Sequence, residues 1–324
     1  MCTAISYKTK DHYFGRTLDL EYSNNEEIVI TPRNHPLSFR HVNGLETHYA
    51  MIGTACIANG YPLYYEASNE KGLSIAGLNF PGNAAYLSYQ QGRYNLASFE
   101  LIPWLLGQCA DLSAARTLLE QTVITNDSFS GELPNSPLHW FLADPNGSIT
   151  AEPTNNGLQL HNNPVGTLTN NPPFSYHLTN LSNYLNITSA PPVNRFSRGF
   201  KPDIYSRGMG GIGLPGDFSS ASRFVRAAFV KMNSVSGESE TESVHQFFHI
   251  LGSVNQPRGC VQLEDGRYVT TIYTSCCNTV RGVFYYKTYN NNEIYYIDMH
   301  RENLDDHRLV RYPFAQESCF HPQN

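Results

Sequence analysis

Cys2 directly follows Met1 in the run Met1-Cys2-Thr3-Ala4-Ile5-Ser6-Tyr7. A small second residue favours trimming of the initiator, so the expected mature chain begins with a cysteine. That residue combines a thiol with a free α-amine, whose ordinary pKa of about 7.7–8.0 leaves part of it unprotonated near neutral pH. The amine can take the thiol proton directly, as N-terminal-threonine enzymes do with their hydroxyl. The plain alternative is a residue at a frayed terminus, and position alone leaves both open.

Gly15-Arg16-Thr17-Leu18-Asp19 adds a cation and a carboxylate. Asp19 is suited to hold an α-ammonium, and Arg16 to lower a thiol pKa. Three residues apart on a regular strand, they face opposite sides, and one site takes both side chains only through a bend or bulge. Taken alone, the segment reads more simply as an ordinary surface ion pair. Asn79 closes the apolar run Ala76-Gly77-Leu78 before Phe80-Pro81-Gly82, where a turn asparagine is the simpler account. Leu168-Thr169-Asn170-Asn171-Pro172-Pro173 is also a turn by composition, yet either asparagine has a side-chain N–H for a developing oxyanion. Arg223, between Ser222 and Phe224, needs a partner for its charge if buried. A helix-surface arginine is the commoner case.

Other motifs carry less. His245 and His249 have the i, i+4 spacing of a zinc helix, but no glutamate follows the first histidine and no third ligand is evident. The Gly-rich run from Gly208 to Gly216 lacks the GK[ST] of a phosphate loop, and no GxSxG elbow occurs. The seven cysteines are scattered without a CxxC pair, and Cys276-Cys277 reads as a buried pair on a strand. They favour a reducing, cytoplasmic setting, which makes the sequons at Asn126, Asn146 and Asn186 chance matches. Charges within the first twenty residues argue against a signal peptide, and no window suits a membrane span.

The elements that must position these residues are strands at both ends with helices between. The chain has 324 residues, 40% apolar and 15% charged, enough for a sizeable core. Its net charge of −6 and lack of a basic run leave nucleic-acid binding unsupported. Residues 2–7 and 13–20 around a polar turn predict a hairpin bringing Cys2 near Arg16 and Asp19. Strands are expected at 28–31, 49–53, 62–66 and 73–78. Helices are expected at 99–109 with Ser98 as cap and at 114–121 with Ser113 as cap. Strands return at 138–143, 148–152 and 158–161. Helices at 221–232 and 242–251, the latter capped by Thr241, precede strands at 268–274, 282–289 and 293–299. No linker or repeat appears, so residues 1–324 read as one layered α+β domain. The Asn-, Pro- and Gly-rich stretch 162–217 is too long for a simple connection and reads as an assembly excursion.

The order and number of the motifs, including Asp11-His12-Tyr13-Phe14-Gly15-Arg16, Thr31-Pro32-Arg33-Asn34, Leu138-His139-Trp140, Ile204-Tyr205-Ser206-Arg207-Gly208, Leu214-Pro215-Gly216-Asp217 and Ser222-Arg223-Phe224, resemble the choloylglycine hydrolase family nearly end to end. That family holds conjugated bile salt hydrolases and penicillin V acylases among the N-terminal nucleophile hydrolases. The resemblance implies a four-layer αββα sandwich with two central antiparallel sheets, assembled as a homotetramer. It implies Cys2 as nucleophile and base donor, Asp19 at its amine, Arg16 beside the thiol and Arg223 as the remaining active-site arginine. The main chain of Asn79 and the side chain of Asn170 would be oxyanion donors. Asn at position 79 points to bile salt hydrolases, while Thr17 also occurs in the acylase branch. The implied reaction is hydrolysis of glycine- or taurine-conjugated bile acids without metal or organic cofactor, with neither nucleic acid nor membrane insertion involved. Leu20, Phe129 and Leu133, with the loops at 59–63 and 129–138, are the candidate pocket walls. A penicillin V acylase and a catalytically silent bile acid carrier are the alternatives.

Overall fold

The computed structural model describes residues 1–324. β1 (Cys2–Lys8) and β2 (His12–Leu20) form the expected hairpin, in register from Cys2 opposite Leu18 to Lys8 opposite His12. Both strands are buried on both faces, as a strand must be when a second sheet packs on one side and helices on the other.

The hairpin sits inside a six-stranded antiparallel sheet. There β12 (Thr167–Leu168) flanks β1, and β13 (Thr270–Asn278), β14 (Val283–Thr288) and β15 (Tyr295–Asp298) continue beyond β2. The facing sheet has eight antiparallel strands in the order β11-β10-β9-β6-β5-β4-β3-β16. Their ranges are β3 (Glu27–Thr31), β4 (Met51–Ala58), β5 (Tyr61–Asn69), β6 (Ser74–Asn79), β9 (Leu138–Asp144), β10 (Gly147–Thr154), β11 (Gly157–Asn162) and β16 (Val310–Pro313). A short parallel pair, β7 (Tyr94–Ala97) and β8 (Thr122–Thr125), stands apart.

α1 (Leu101–Gln108) and α2 (Leu112–Leu119) cover the eight-stranded sheet, and α4 (Ser220–Asn233) and α5 (Glu240–Gly252) cover the six-stranded one. α3 (Phe174–Asn180) lies against α4. The layers are therefore αββα. Phe14 stacks on Phe141 at 5.4 Å where the two sheets meet.

Three helix starts differ from expectation. Ser98 is buried ahead of α1, which begins after Glu100 without a side-chain cap. Asp111 rather than Ser113 caps α2, its Oδ1 accepting from the Ala114 N–H at 2.8 Å. A carboxylate there satisfies an orphan donor and meets the positive end of the helix dipole. Ser239 rather than Thr241 caps α5, in a reciprocal capping box with Glu242.

Stretch 162–217 holds β12, α3 and two 3₁₀ turns, and is otherwise irregular. Its outer part exposes Leu185, Val193, Phe196, Phe200, Ile204 and Tyr205. The run from Gly208 to Gly216 is loop apart from one 3₁₀ turn.

Candidate active site

Strand alternation assigns the hairpin's side chains to two faces. Cys2, Arg16, Leu18 and Leu20 line one cavity between the sheets. Thr3, Thr17 and Asp19 take the opposite face, where Thr3 meets an arginine of α4. Arg16 and Asp19 thus do face opposite sides, as their spacing predicts. Cys2 touches both settings: its side chain points between the sheets, while its N–H donates to Asn170 Oδ1, which Arg223 of α4 also holds. A bulge does occur, but in the neighbouring strand: the pairing of β13 with β2 slips between Thr271 and Tyr273.

On the α4 face, Asp19 accepts from the Thr17 hydroxyl at 3.0 Å and the Thr271 hydroxyl at 2.7 Å. Burial raises its pKa, against the pull of Arg223, the N-terminal ammonium and those two hydroxyls. Arg223 is fully buried, so the surface alternative fails. It donates to the Cys2 carbonyl, to Thr3 Oγ1 at 2.7 Å, to Asn170 Oδ1 at 2.8 Å and to the Phe218 carbonyl at 3.1 Å. Burial lowers its pKa, partly offset by Asp19 and Cys2.

Asn170 Oδ1 also accepts from the Cys2 N–H at 2.8 Å. Arginine is only a donor, so this pair of contacts fixes which way the amide points. Nδ2 then donates to the Asn79 carbonyl at 2.7 Å. Asn171 instead reaches the Pro81 carbonyl. Met1 extends the hairpin by one residue: its ammonium donates to the Asp19 carbonyl, and the Asp19 N–H donates to its carbonyl at 2.9 Å.

Between the sheets, Arg16 occupies a gap in the second sheet. Tyr65 is the extra residue of a bulge in β5, and pairing of β5 with β6 stops at Glu66 opposite Ala76. The carbonyls freed there, of Tyr65 and Gly77, both accept from Arg16 Nη1. Glu66 Oε2 lies 3.8 Å from Arg16 Nε and accepts from the Tyr273 hydroxyl at 2.7 Å. Burial alone would lower the Arg16 pKa, but Cys2, Tyr273, Glu66 and Asp19 together hold it above the usual value. Burial raises the Glu66 pKa against the pull of Arg16. The Phe80 N–H donates to the Pro137 carbonyl of the β9 side. By alternation the Asn79 N–H points the other way, toward the opened gap.

The cavity over Cys2 measures about 490 Å³, and 13 of its 23 lining residues are hydrophobic. Leu20, Phe129 and Leu133 all lie in its wall, as does Leu63, though from β5, because the expected loop at 59–63 is only the tight turn Asn59-Gly60 between β4 and β5. Phe99 and Phe129 pack edge to face at 5.3 Å, with Tyr61 about 6 Å from each. Glu21, Asn24, Glu132 and Asn135 supply polar groups. Sequence reasoning missed Tyr65, Glu66, Phe99, Thr271 and Tyr273. Glu66 had a signal: a carboxylate inside an otherwise apolar strand needs a partner. Thr271 and Tyr273 had none, since a bulge between distant strands places them.

Two antiparallel sheets held between helical layers, with a cysteine opening the first strand beneath a cavity, make the sandwich of the N-terminal nucleophile hydrolases. The chain belongs to the choloylglycine hydrolase family of linear amide C–N hydrolases, whose profile matches residues 2–312. It is 51% identical to the bile salt hydrolase/transferase of Lactiplantibacillus plantarum, over 100% of both chains. It superposes on a crystal structure of a variant conjugated bile acid hydrolase from Clostridium perfringens with a TM-score of 0.92, at 35% identity and full coverage of both. The penicillin V acylase of Agrobacterium tumefaciens shares the fold, with a TM-score of 0.76 at 20% identity over 96% of this chain and 90% of that one.

Proposed function

We propose that this protein hydrolyses the amide joining a bile acid to glycine or taurine, with Cys2 as nucleophile after removal of Met1. The observation that carries this is the full-length 51% identity to a bile salt hydrolase/transferase, in a chain whose Cys2 opens onto a largely apolar cavity. A steroid needs such a wall, with a few polar groups at the scissile bond.

Loss of Met1 turns the Cys2 N–H into an α-amine beside Asn170 Oδ1, with the Asp19 carboxylate, which already attracts the Met1 ammonium, as its counter-charge. The amine takes the thiol proton, and Arg16 stabilises the thiolate that results. The thiolate attacks the amide carbon. The oxyanion is received by the Asn79 main-chain N–H and by the Asn170 N–H not engaged with the Asn79 carbonyl. The C–N bond breaks as the ammonium returns its proton to the leaving amino acid. Water, activated by the same amine, then cleaves the thioester to free bile acid and Cys2. Arg223 holds the Cys2 carbonyl and the Asn170 amide in place throughout.

No helix is long and apolar enough to cross a membrane. We take the chain to act as a single domain in the cytoplasm, a setting in keeping with seven unpaired cysteines. We take it to assemble as a homotetramer, for which the apolar side chains exposed along 185–212 are the natural contact surface.

The test is a comparison of kcat/KM on glycocholate, taurocholate and penicillin V. Conjugated bile salts are expected to be the better substrates. A clear preference for penicillin V would replace this substrate assignment while keeping the machinery. Ligand binding without turnover would replace catalysis by carriage.

A further inference from the structure

A second cavity opens at the far end of β1. The strand's inner face carries Cys2 at one end and Ser6 and Lys8 at the other, about 20 Å away for six residues of extended chain. Ser6, Lys8 and His12 there face the turn between β9 and β10 across a space of about 810 Å³. Arg116 of α2 and Lys231 of α4 complete the polar wall.

The charges of this wall are arranged in an unusual way. Its two carboxylates are directed at backbone N–H groups. Asp144 accepts from the N–H groups of Leu112, Asn146 and Gly147, and Asp111 caps α2. Its three cations have only neutral acceptors. Lys8 donates to the Pro145 carbonyl, Lys231 to the Ser6 carbonyl, each at 2.9 Å, and Arg116 to Asn162 Oδ1. None of the ion pairs in the molecule includes Lys8, Arg116 or Lys231. Surface arginines such as Arg33, Arg281 and Arg311 each have a carboxylate within 3.1 Å.

Two of the cations, Lys8 and Lys231, act on one buried ring, and Arg116 lines the same cavity. The buried His12 ring senses Lys8, Lys231 and Asp144 electrostatically, and its nitrogens are already engaged by the Ser6 and Thr279 hydroxyls at 2.8 Å. Lys231 is partly buried, and that burial lowers its pKa to about 8 with no carboxylate to restore it. A partly buried ammonium in a polar cleft without a counter-charge is an incomplete ion pair, and a bound anion completes it.

We propose that this cavity is a second ligand site, for a compact oxyanion of the phosphate class, held by Lys8, Arg116 and Lys231. Inorganic phosphate and a phosphomonoester offer the same chemistry, and the volume admits both. The site is separate from the cavity over Cys2 and does not depend on the amide substrate.

The test is calorimetric titration of the full chain with inorganic phosphate and with glycerol phosphate, at constant ionic strength. Saturable one-to-one binding is expected for at least one, and the stronger of the two identifies the source. Lys231→Met should weaken it about tenfold or more, as should the double change Lys8→Met with Arg116→Met, while bile salt hydrolysis stays within about twofold of the parent. Hydrolysis that persists shows that each variant is folded. Should Lys231→Met fail to fold, the Lys8 and Arg116 double variant decides. Heat that merely follows ionic strength, or phosphate affinity unchanged in the folded variants, would overturn the proposal.

Discussion

The two ends of β1 treat buried charge in opposite ways. At the Cys2 end, each charge has its partners in place: Arg16 with three carbonyls and Glu66, Asp19 with two hydroxyls, Arg223 with four oxygens, one each on Cys2, Thr3, Asn170 and Phe218. At the Lys8 end, the cations meet only neutral oxygens and the carboxylates are spent on backbone N–H groups. The first arrangement holds groups rigidly around the residue proposed as nucleophile, which is what preorganised catalysis requires. The second leaves positive charge available to an incoming anion. Substitutions at the two ends should therefore have different consequences.

The largest effect is expected at Cys2. Cys2→Ala should lower amide hydrolysis at least about a thousandfold with the fold kept, because no other group replaces the nucleophile. Activity of released glycine or taurine, with circular dichroism alongside, measures this. Lys8→Met should leave that activity near the parent's, and an equal loss from both would erase the distinction between the ends.

Next is Glu66. Glu66→Ala removes the carboxylate facing the buried Arg16 and leaves Tyr273 without its acceptor, for a loss of about 3–5 kcal/mol in urea unfolding. Glu66→Gln keeps an acceptor and should lose less. Asn170→Ala follows, with kcat lowered by about 10²–10³ for one oxyanion donor removed, and KM changed far less.

The smallest expected effect belongs to the Lys8 end and depends on pH. Burial lowers the His12 pKa to about 4 from an ordinary 6.5. Between those values the unfolded chain binds a proton that the folded chain does not, so stability falls as pH drops from about 6.5 to about 4. The slope from this group amounts to at most about 3 kcal/mol over the window. His12→Gln should flatten that part of the stability–pH curve. An unchanged curve would mean that His12 is not held neutral.

Much of this was legible in the sequence. The hairpin, the positions of Cys2, Arg16, Asp19, Asn79, Asn170 and Arg223, and the walls Leu20, Phe129 and Leu133 follow from local pattern and from family motifs. Helix caps were less legible, since Ser98, Ser113 and Thr241 each stand near a better or differently placed cap and single residues do not settle which is used. The Arg16 setting was not legible at all. It depends on a bulge at Tyr65, an opened ladder after Ala76 and a hydroxyl from Tyr273, three features of strands far apart in sequence. The burial of Arg223 likewise depends on α4 docking against the start of β1, which no local periodicity encodes.

The proposed mechanism requires the α-amine and thiol of Cys2 to work together once Met1 is gone. Intact mass spectrometry of acid-quenched glycocholate turnover tests it most directly. Active chain should lack Met1 and show a transient acyl adduct mapping to the N-terminal peptide at Cys2. Fully active chain that retains Met1, or an adduct on any other residue, would contradict it.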